Sequence, residues 1–120
     1  MVTLPVPRHE AKAELFRTLG HPLRIRVLEL LCERDYAVHE LLATMAVEPS
    51  SLSQQLGILR RAGIVRQRRL GGEVRYSLMI PSIEELLAAA RTTLGLLLAD
   101  QAQLQADLND EGTPGRAGGA

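Results

Sequence analysis

The chain is 120 residues long and 46% hydrophobic, and its 14 basic and 14 acidic side chains give a formal net charge of zero. That length holds one domain with a modest core, and zero net charge alone gives no reason to expect a nucleic-acid partner. One cysteine cannot form an intrachain disulfide, no apolar stretch has the length of a membrane span, and residues 1–10 lack the pattern of a signal peptide, so we expect a soluble cytoplasmic protein.

Four helices are predicted ahead of any strand, at residues 9–19, 22–34, 38–46 and 50–63, from apolar side chains at helical spacing. The apolar stripe of the second helix consists of Ile25, Leu28, Leu31 and Cys32. Pro22 suits the first turn of that helix, Ser50 is a good N-cap for the fourth, and the fourth ends at Gly63 in the position that a C-terminal glycine prefers. The third helix lacks a strong start signal, because Ala37 stands where a Ser or Thr would complete a capping box with Glu40.

After Gly63 the sequence changes from a helical to an alternating pattern. The runs IVRQRRL and EVRYSL flank a Gly-Gly pair, which predicts a β-hairpin. In the second run Val74, Tyr76 and Leu78 share one face, so Arg75 lies on the other. The hairpin is therefore expected to be an exposed ribbon that displays arginines.

Charge is distributed unevenly along this neutral chain. Residues 60–75 hold six arginines and one glutamate, a net charge of +5, whereas residues 84–111 hold six acids and one arginine, a net charge of −5. This polarisation indicates that a cationic surface is concentrated around the fourth helix and the hairpin.

A last long helix is predicted to open at Pro81 and Ser82. Its apolar residues step alternately by four and three positions, interrupted only at Gln101, which is the pattern of a seam for another helix. They are Ile83, Leu87, Ala90, Leu94, Leu97, Leu104 and Leu108. Residues 109–120 are polar and Gly-rich and are predicted to be a disordered tail, and residues 1–8 a flexible arm, which leaves residues 9–108 as the folded domain.

The predicted order of elements, ααααββα, is that of a mainly α, winged helix-turn-helix fold with a β-hairpin wing. In that fold the fourth helix enters the major groove of double-stranded DNA, where Gln and Arg can contact base edges and Ser can contact a base or a phosphate. The predicted DNA-binding residues are Ser50, Ser51, Ser53, Gln54, Gln55, Gly57, Arg60, Arg61, Arg66, Arg68, Arg69 and Arg75. The alternative interpretation is an ordinary solvated helix face.

Two long stretches, FRTLGHPLRIRVLELLCERDYAVHELL and SSLSQQLGILRRAGIVRQRRLGGEVRYSL, resemble the ArsR/SmtB group of bacterial transcriptional repressors. The resemblance covers about residues 9–108. It implies a homodimer joined through the first and last helices, an inverted-repeat operator, and release of DNA when an inducer binds. The expected dimer-interface residues are Leu15, Phe16, Leu19, Ile83, Leu87, Ala90, Leu94, Leu97, Leu104 and Leu108.

Many members of that group sense metals, and here the sequence departs from the pattern. The two cysteine positions of their third-helix site align with Ala37 and His39, and the last helix has no histidine between Ser82 and Leu108 for the other site. His9 and His39 remain as weak candidates, but two imidazoles fall short of a three- or four-ligand sphere. We therefore expect no metal cofactor, and the inducer, a small molecule, a redox change or none, is not identified by the sequence.

Two other residues have a local and a functional interpretation. Cys32 lies on the apolar stripe, which favours a buried small hydrophobe; the alternative is a redox sensor whose thiol pKa is lowered by Arg26 and Arg34. His21, beside Pro22, is expected to make local hydrogen bonds at the helix start.

The leading hypothesis is a homodimeric DNA-binding repressor. The alternative is a protein-interaction module that docks a partner through the leucine-rich last helix, but such a module has no reason to hold a net charge of +5 in residues 60–75. An enzyme is disfavoured because no nucleophile-base set, carboxylate pair, phosphate loop or metal cluster occurs at a usable spacing.

Overall fold

The computed structural model describes residues 6–111 of the chain. Its elements are α1 (Arg8–Leu19), α2 (Pro22–Glu33), β1 (Tyr36–Ala37), α3 (Val38–Met45), α4 (Pro49–Arg61), β2 (Val65–Leu70), β3 (Glu73–Leu78) and α5 (Ser82–Glu111). The predicted mainly α, winged helix-turn-helix fold is confirmed. Among the described residues, those up to Glu84 form one compact unit by their internal contacts, and those from Glu85 form another.

A three-stranded antiparallel sheet forms the wing and its base, in the order β1-β3-β2. Strand β1 was not predicted from the sequence, since two residues are too few to show an alternating pattern, and only the pairing of Tyr36 with Tyr76 reveals it. The β2–β3 hairpin is confirmed. Both turn glycines, Gly71 at φ +56° and Gly72 at φ +81°, adopt the positive φ that a two-residue hairpin turn requires.

The core of the first unit is aliphatic. Its largest fully buried side chains are Leu28, Leu41, Leu52, Leu56, Leu59, Val27 and Val65. The predicted stripe of α2 is partly wrong, because Val27 and Leu30 are buried whereas Ile25 and Cys32 are half-exposed. The buried face of α2 is thus rotated from the predicted one, since α2 packs on both α4 and β3 and needs apolar residues toward each.

Helix starts follow local chemistry, with one correction. His21 caps α2 as expected, its Nδ1 accepting a hydrogen bond from the backbone N–H of Leu23 at 3.1 Å. Ser50 is not the N-cap of α4: Glu48 holds that position and Pro49 occupies the first turn, where a missing N–H costs nothing.

The start of α3 carries half of a capping box. Ala37 has no side-chain acceptor, as the sequence indicates, but the Glu40 carboxylate accepts the Ala37 backbone N–H at 2.8 Å. The other end of α3 is sharp, since Ala46 adopts a left-handed conformation at φ +53°. This residue turns the chain toward α4.

The end of α4 is a Schellman motif. The N–H of Gly63 donates to the carbonyl of Arg60 at 3.0 Å, and that of Ile64 donates to the carbonyl of Leu59 at 3.1 Å. Gly63 has φ +78°, so the expected glycine stop is confirmed. Both Ile64 and Leu59 are buried, which fixes the exit of the chain from α4 into the wing.

The last helix, α5, runs through residues 109–111, which the sequence analysis assigned to the tail. The rest of that predicted tail, residues 112–120, and residues 1–5 of the predicted arm lie outside the described residues. None of the helices in residues 6–111 combines the length and the apolar character that crossing a membrane requires.

Candidate nucleic-acid interface

The helix α4 is amphipathic in the sense that the sequence predicts. Leu52, Leu56 and Leu59 are fully or almost fully buried. The opposite side presents polar and cationic side chains, and the exposed members are Ser50, Ser53, Gln54, Arg60 and Arg61. Ser51 and Gly57, which were also predicted to bind DNA, are half-buried.

Gln55 does not belong to the exposed face, although it was predicted to bind DNA. Its residue is only 7% exposed, and its Oε1 accepts a hydrogen bond from Arg24 Nη1 at 2.7 Å. The sequence placed it at the interface because glutamine is usually a surface residue. The presence of an arginine on α2 as its partner allows it to be buried instead.

Three arginines of β2 carry the cationic surface of the wing. Arg66, Arg68 and Arg69 are exposed, and within residues 6–111 no carboxylate forms an ion pair with any of them. Their alternation along the strand puts Arg66 and Arg68 on one face of the ribbon and Arg69 on the other. The wing can therefore present positive charge in two directions.

Arg75 is the exception among the wing arginines, because its charge is paired within the chain, and its predicted contact with DNA stays a prediction. Its side chain is 28% exposed, and its Nη1 donates to Glu73 Oε2 at 2.7 Å, with Glu40 at 3.9 Å. Arg75 lies directly opposite Arg68 in the hairpin register. Like charges across a strand pair repel, and the Glu73 carboxylate offsets that repulsion.

Arg75, Glu73 and Glu40 belong to a charge cluster at the base of the wing. Its members are Arg34, His39, Glu40, Glu73 and Arg75. His39 Nε2 on α3 lies 2.9 Å from Glu73 Oε1, which joins that helix to the hairpin. The hydrogen bonds from His39 and then Arg75 lower the pKa of Glu73. The backbone N–H of Ala37, followed by Arg34, lowers the pKa of Glu40.

Within the described part of the chain, the histidines are not grouped with other residues that could coordinate a metal ion. His39 is engaged with Glu73, and His9 is exposed beside Glu10, with 3.9 Å between its Nε2 and the nearer carboxylate oxygen. Across residues 6–111 no three His, Cys, Asp or Glu side chains are grouped so that they could hold a metal ion. The expectation that no metal is bound stays a prediction.

Cys32 is half-buried rather than fully buried. Its pKa is raised by burial and then by the carboxylates of Glu84, Glu29 and Glu33. The redox interpretation required a lowered pKa, whereas burial and these carboxylates raise the pKa of the Cys32 thiol, so its premise is not supported.

Several apolar residues predicted for a dimer interface are exposed in this single chain. They are Leu15, Phe16, Leu94, Leu97, Leu104 and Leu108. Leu19 and Ile83 are not available, since they are 6% and 4% exposed and belong to the core of the chain itself. Leu96 and Leu98, outside the predicted seam, are also exposed, so the apolar surface of α5 is wider than a single seam.

Comparison of the sequence with known proteins gives consistent matches. The family model described as bacterial regulatory protein, arsR family, matches residues 21–67. An HTH-type transcriptional regulator from Mycobacterium tuberculosis is 51% identical over 115 residues, 95% of each chain. The biofilm growth-associated repressor from Agrobacterium fabrum is 37% identical over 90 residues, 72% of this chain and 77% of that one.

Solved structures resemble the fold. The crystal structure of Rv0081 from Mycobacterium tuberculosis aligns with a TM-score of 0.74 and 54% identity, covering 82% of this chain and 99% of that one. The repressor BigR from Xylella fastidiosa aligns with a TM-score of 0.67 and 36% identity, covering 72% of this chain and 88% of that one.

Proposed function

This chain belongs to the ArsR family of bacterial regulatory proteins, and we propose that it acts as a homodimer that binds an inverted-repeat operator and represses transcription. Its family and its relatives are transcriptional regulators, so it is a DNA-binding regulator and not an enzyme. Repression is supported by the names of the relatives from Agrobacterium and Xylella. A regulator of this kind works at the chromosome, so we place it in the cytoplasm.

The observation that carries this proposal is a cluster of five arginines on α4 and β2, none of which forms an ion pair within the described residues. Arg60 and Arg61 end α4, and Arg66, Arg68 and Arg69 line β2. All five are exposed, and they lie within ten consecutive residues, 60–69. Phosphate groups of a duplex are the partners that such a surface fits.

The polar residues of α4 have a different role in the proposal. Ser53 and Gln54 are exposed at the middle of the helix, ahead of the arginines that end it. A helix lying in the major groove would bring Gln54 to the base edges, where an amide can form a bidentate contact with adenine. The arginines would then set register and affinity, and Gln54 the sequence preference.

A dimer is supported by the apolar side chains that a single chain leaves in water. Phe16 on α1 is 58% exposed, and Leu94, Leu97 and Leu104 on α5 are 54–59% exposed. Exposed leucines in a row at helical spacing are typical of a helix that packs against another chain. Two copies joined in this way would present two α4 helices to successive major grooves.

The experiment that tests the proposal is selection of bound fragments from genomic DNA, repeated with metals, an oxidant and a reductant. The recovered site should be an inverted repeat, and affinity for it should fall steeply as salt concentration rises. Recovery of no enriched site, or binding that ignores salt, would refute it. A monomer or heterodimer without DNA affinity would instead support an interaction module.

A further inference from the structure

We propose that Arg24 and Gln55 form a positioning pair that sets the orientation of α4 and, through it, the sequence preference of the protein for DNA. This inference rests on the proposed function, since it concerns how the DNA-reading helix is held. Neither residue would touch DNA. Gln55 faces inward, and Arg24 lies on α2, behind α4.

One guanidinium group joins three helices. Arg24 Nη1 donates to Gln55 Oε1 on α4 at 2.7 Å, and Arg24 Nε donates to the backbone carbonyl of Thr18 at 2.6 Å. Thr18 lies near the end of α1. The planar fork of arginine holds these two acceptors in a fixed mutual direction, which a flexible ammonium could not do.

The remaining contacts of α4 with the core are apolar and therefore weakly directional. Leu52, Leu56 and Leu59 bury one side of the helix but tolerate small rotations about its axis. The hydrogen bond to Gln55 does not tolerate them, because a buried amide that loses its partner is strongly disfavoured. Among the described residues of α4, Gln55 is the one buried polar side chain.

Rotation of α4 about its axis would change the direction of Gln54, the exposed neighbour of Gln55. Gln54 precedes Gln55 in the helix, and one residue step is a rotation of about 100°, so the constraint on Gln55 also fixes where Gln54 points. Contacts with base edges depend on such placement, whereas long arginine side chains reach phosphates from many directions. Loss of the pair should therefore reduce discrimination between sequences more than it reduces overall DNA affinity.

The pair also connects α4 to α1, the helix that carries exposed Leu15 and Phe16. If α1 contributes to a dimer, as proposed, then the same hydrogen bonds also fix the position of α4 relative to the two-fold axis of that dimer. The preference for the spacing between half-sites should depend on them as well.

The test measures dissociation constants of the full-length protein for its selected operator and for a random duplex of equal length. Gln55→Leu keeps the size of the side chain but removes the acceptor, and the ratio of the two constants should fall about tenfold. The salt slope on random DNA should stay at the wild-type value. Gln55→Glu supplies a carboxylate to the same guanidinium and should keep the ratio.

Arg24→Lys is the second variant, since it retains the charge and loses the fork, and it decides the matter if Gln55→Leu does not fold. Urea unfolding of each variant separates loss of orientation from loss of structure. An unchanged ratio in a folded Gln55→Leu or Arg24→Lys protein overturns the inference while leaving the proposed function intact. Absence of salt-dependent binding by the wild-type protein overturns both.

Discussion

At the scale of single residues, the partner of each arginine decides whether it is free for DNA. Arg68 and Arg75 face each other across the hairpin, yet only Arg75 has a carboxylate, Glu73, within hydrogen-bond distance. The sequence composition does not distinguish these two arginines, but the structure shows that only one of them is paired with a carboxylate. On that face of the wing, the positive charge of Arg68 is therefore available to DNA, whereas the charge of Arg75 is offset by Glu73.

Replacement of Arg68 or Arg69 by Ala should weaken binding to every duplex and lower the salt slope by about 0.9, the value of one phosphate contact. The measurement is a series of DNA titrations at increasing salt concentration. Arg75→Ala is the matched control, and its slope should change less because Glu73 already neutralises that charge. An equal change for Arg75 would mean that the Glu73 pair opens on DNA.

Acid pH should destabilise the chain through Glu40 and Glu73. Their pKa values are lowered in the folded protein from the ordinary 4.5, so the stabilisation is present above that pH and is lost as the pH falls through the lowered values. The free energy of unfolding in urea, measured between about pH 3 and about pH 6, should therefore fall toward acid.

Glu40→Gln and Glu73→Gln should each flatten that acid decline, because a neutral amide does not titrate there. Glu48→Gln is the control, since within the described residues the Glu48 side chain makes no hydrogen bond or ion pair. If both amide variants decline as steeply as the wild type, then the hydrogen bonds of the charge cluster do not contribute to stability.

At the scale of elements, helix α4 is stabilised at its C-terminal end and destabilised by a glycine near its middle. The Schellman motif at Gly63 satisfies two carbonyls, whereas Gly57 inside the helix costs about 1 kcal/mol relative to alanine. A Cβ at residue 57 would meet Arg61 Nη1 at 3.2 Å. That atom is the end of a flexible side chain on the proposed DNA face.

Gly57→Ala should raise the free energy of unfolding by up to about 1 kcal/mol, because Arg61 can move aside at little cost. The same change should weaken DNA binding if the backbone at Gly57 approaches a phosphate. Urea unfolding and DNA titration of one variant measure both effects. A loss of stability would show that Arg61 is held more firmly than its exposure indicates.

At the scale of the whole molecule, the apolar surface of α5 is the feature that one chain cannot satisfy. Leu97→Glu should place a charge in the proposed seam and shift the protein from dimer to monomer in sedimentation experiments. Operator affinity should fall together with dimerisation.

Ala99→Glu, on the opposite side of the same helix, is the matched control and should leave the dimer intact. Dissociation of the Ala99→Glu protein, or persistence of the dimer in Leu97→Glu, would place the subunit contact elsewhere on the molecule.

The sequence by itself determined what depends on neighbours along the chain. Helical spacing, the Gly-Gly turn, the cap at His21 and the stop at Gly63 are local effects, and the family resemblance rests on such runs of residues. The order of helices and hairpin was predictable for that reason. The polar face of α4 was predictable too, apart from one glutamine.

Only the tertiary structure decided what depends on partners distant in sequence. Gln55 is buried because Arg24, 31 residues away, reaches it, and Arg75 and His39 are paired because Glu73 brings the hairpin to α3. Strand β1 exists through its pairing with β3, and Leu19 and Ile83 are core residues through packing. Hydrophobic period indicates which face of an element is buried, but charge pairing and the burial of a polar side chain depend on three-dimensional neighbours that the period does not record.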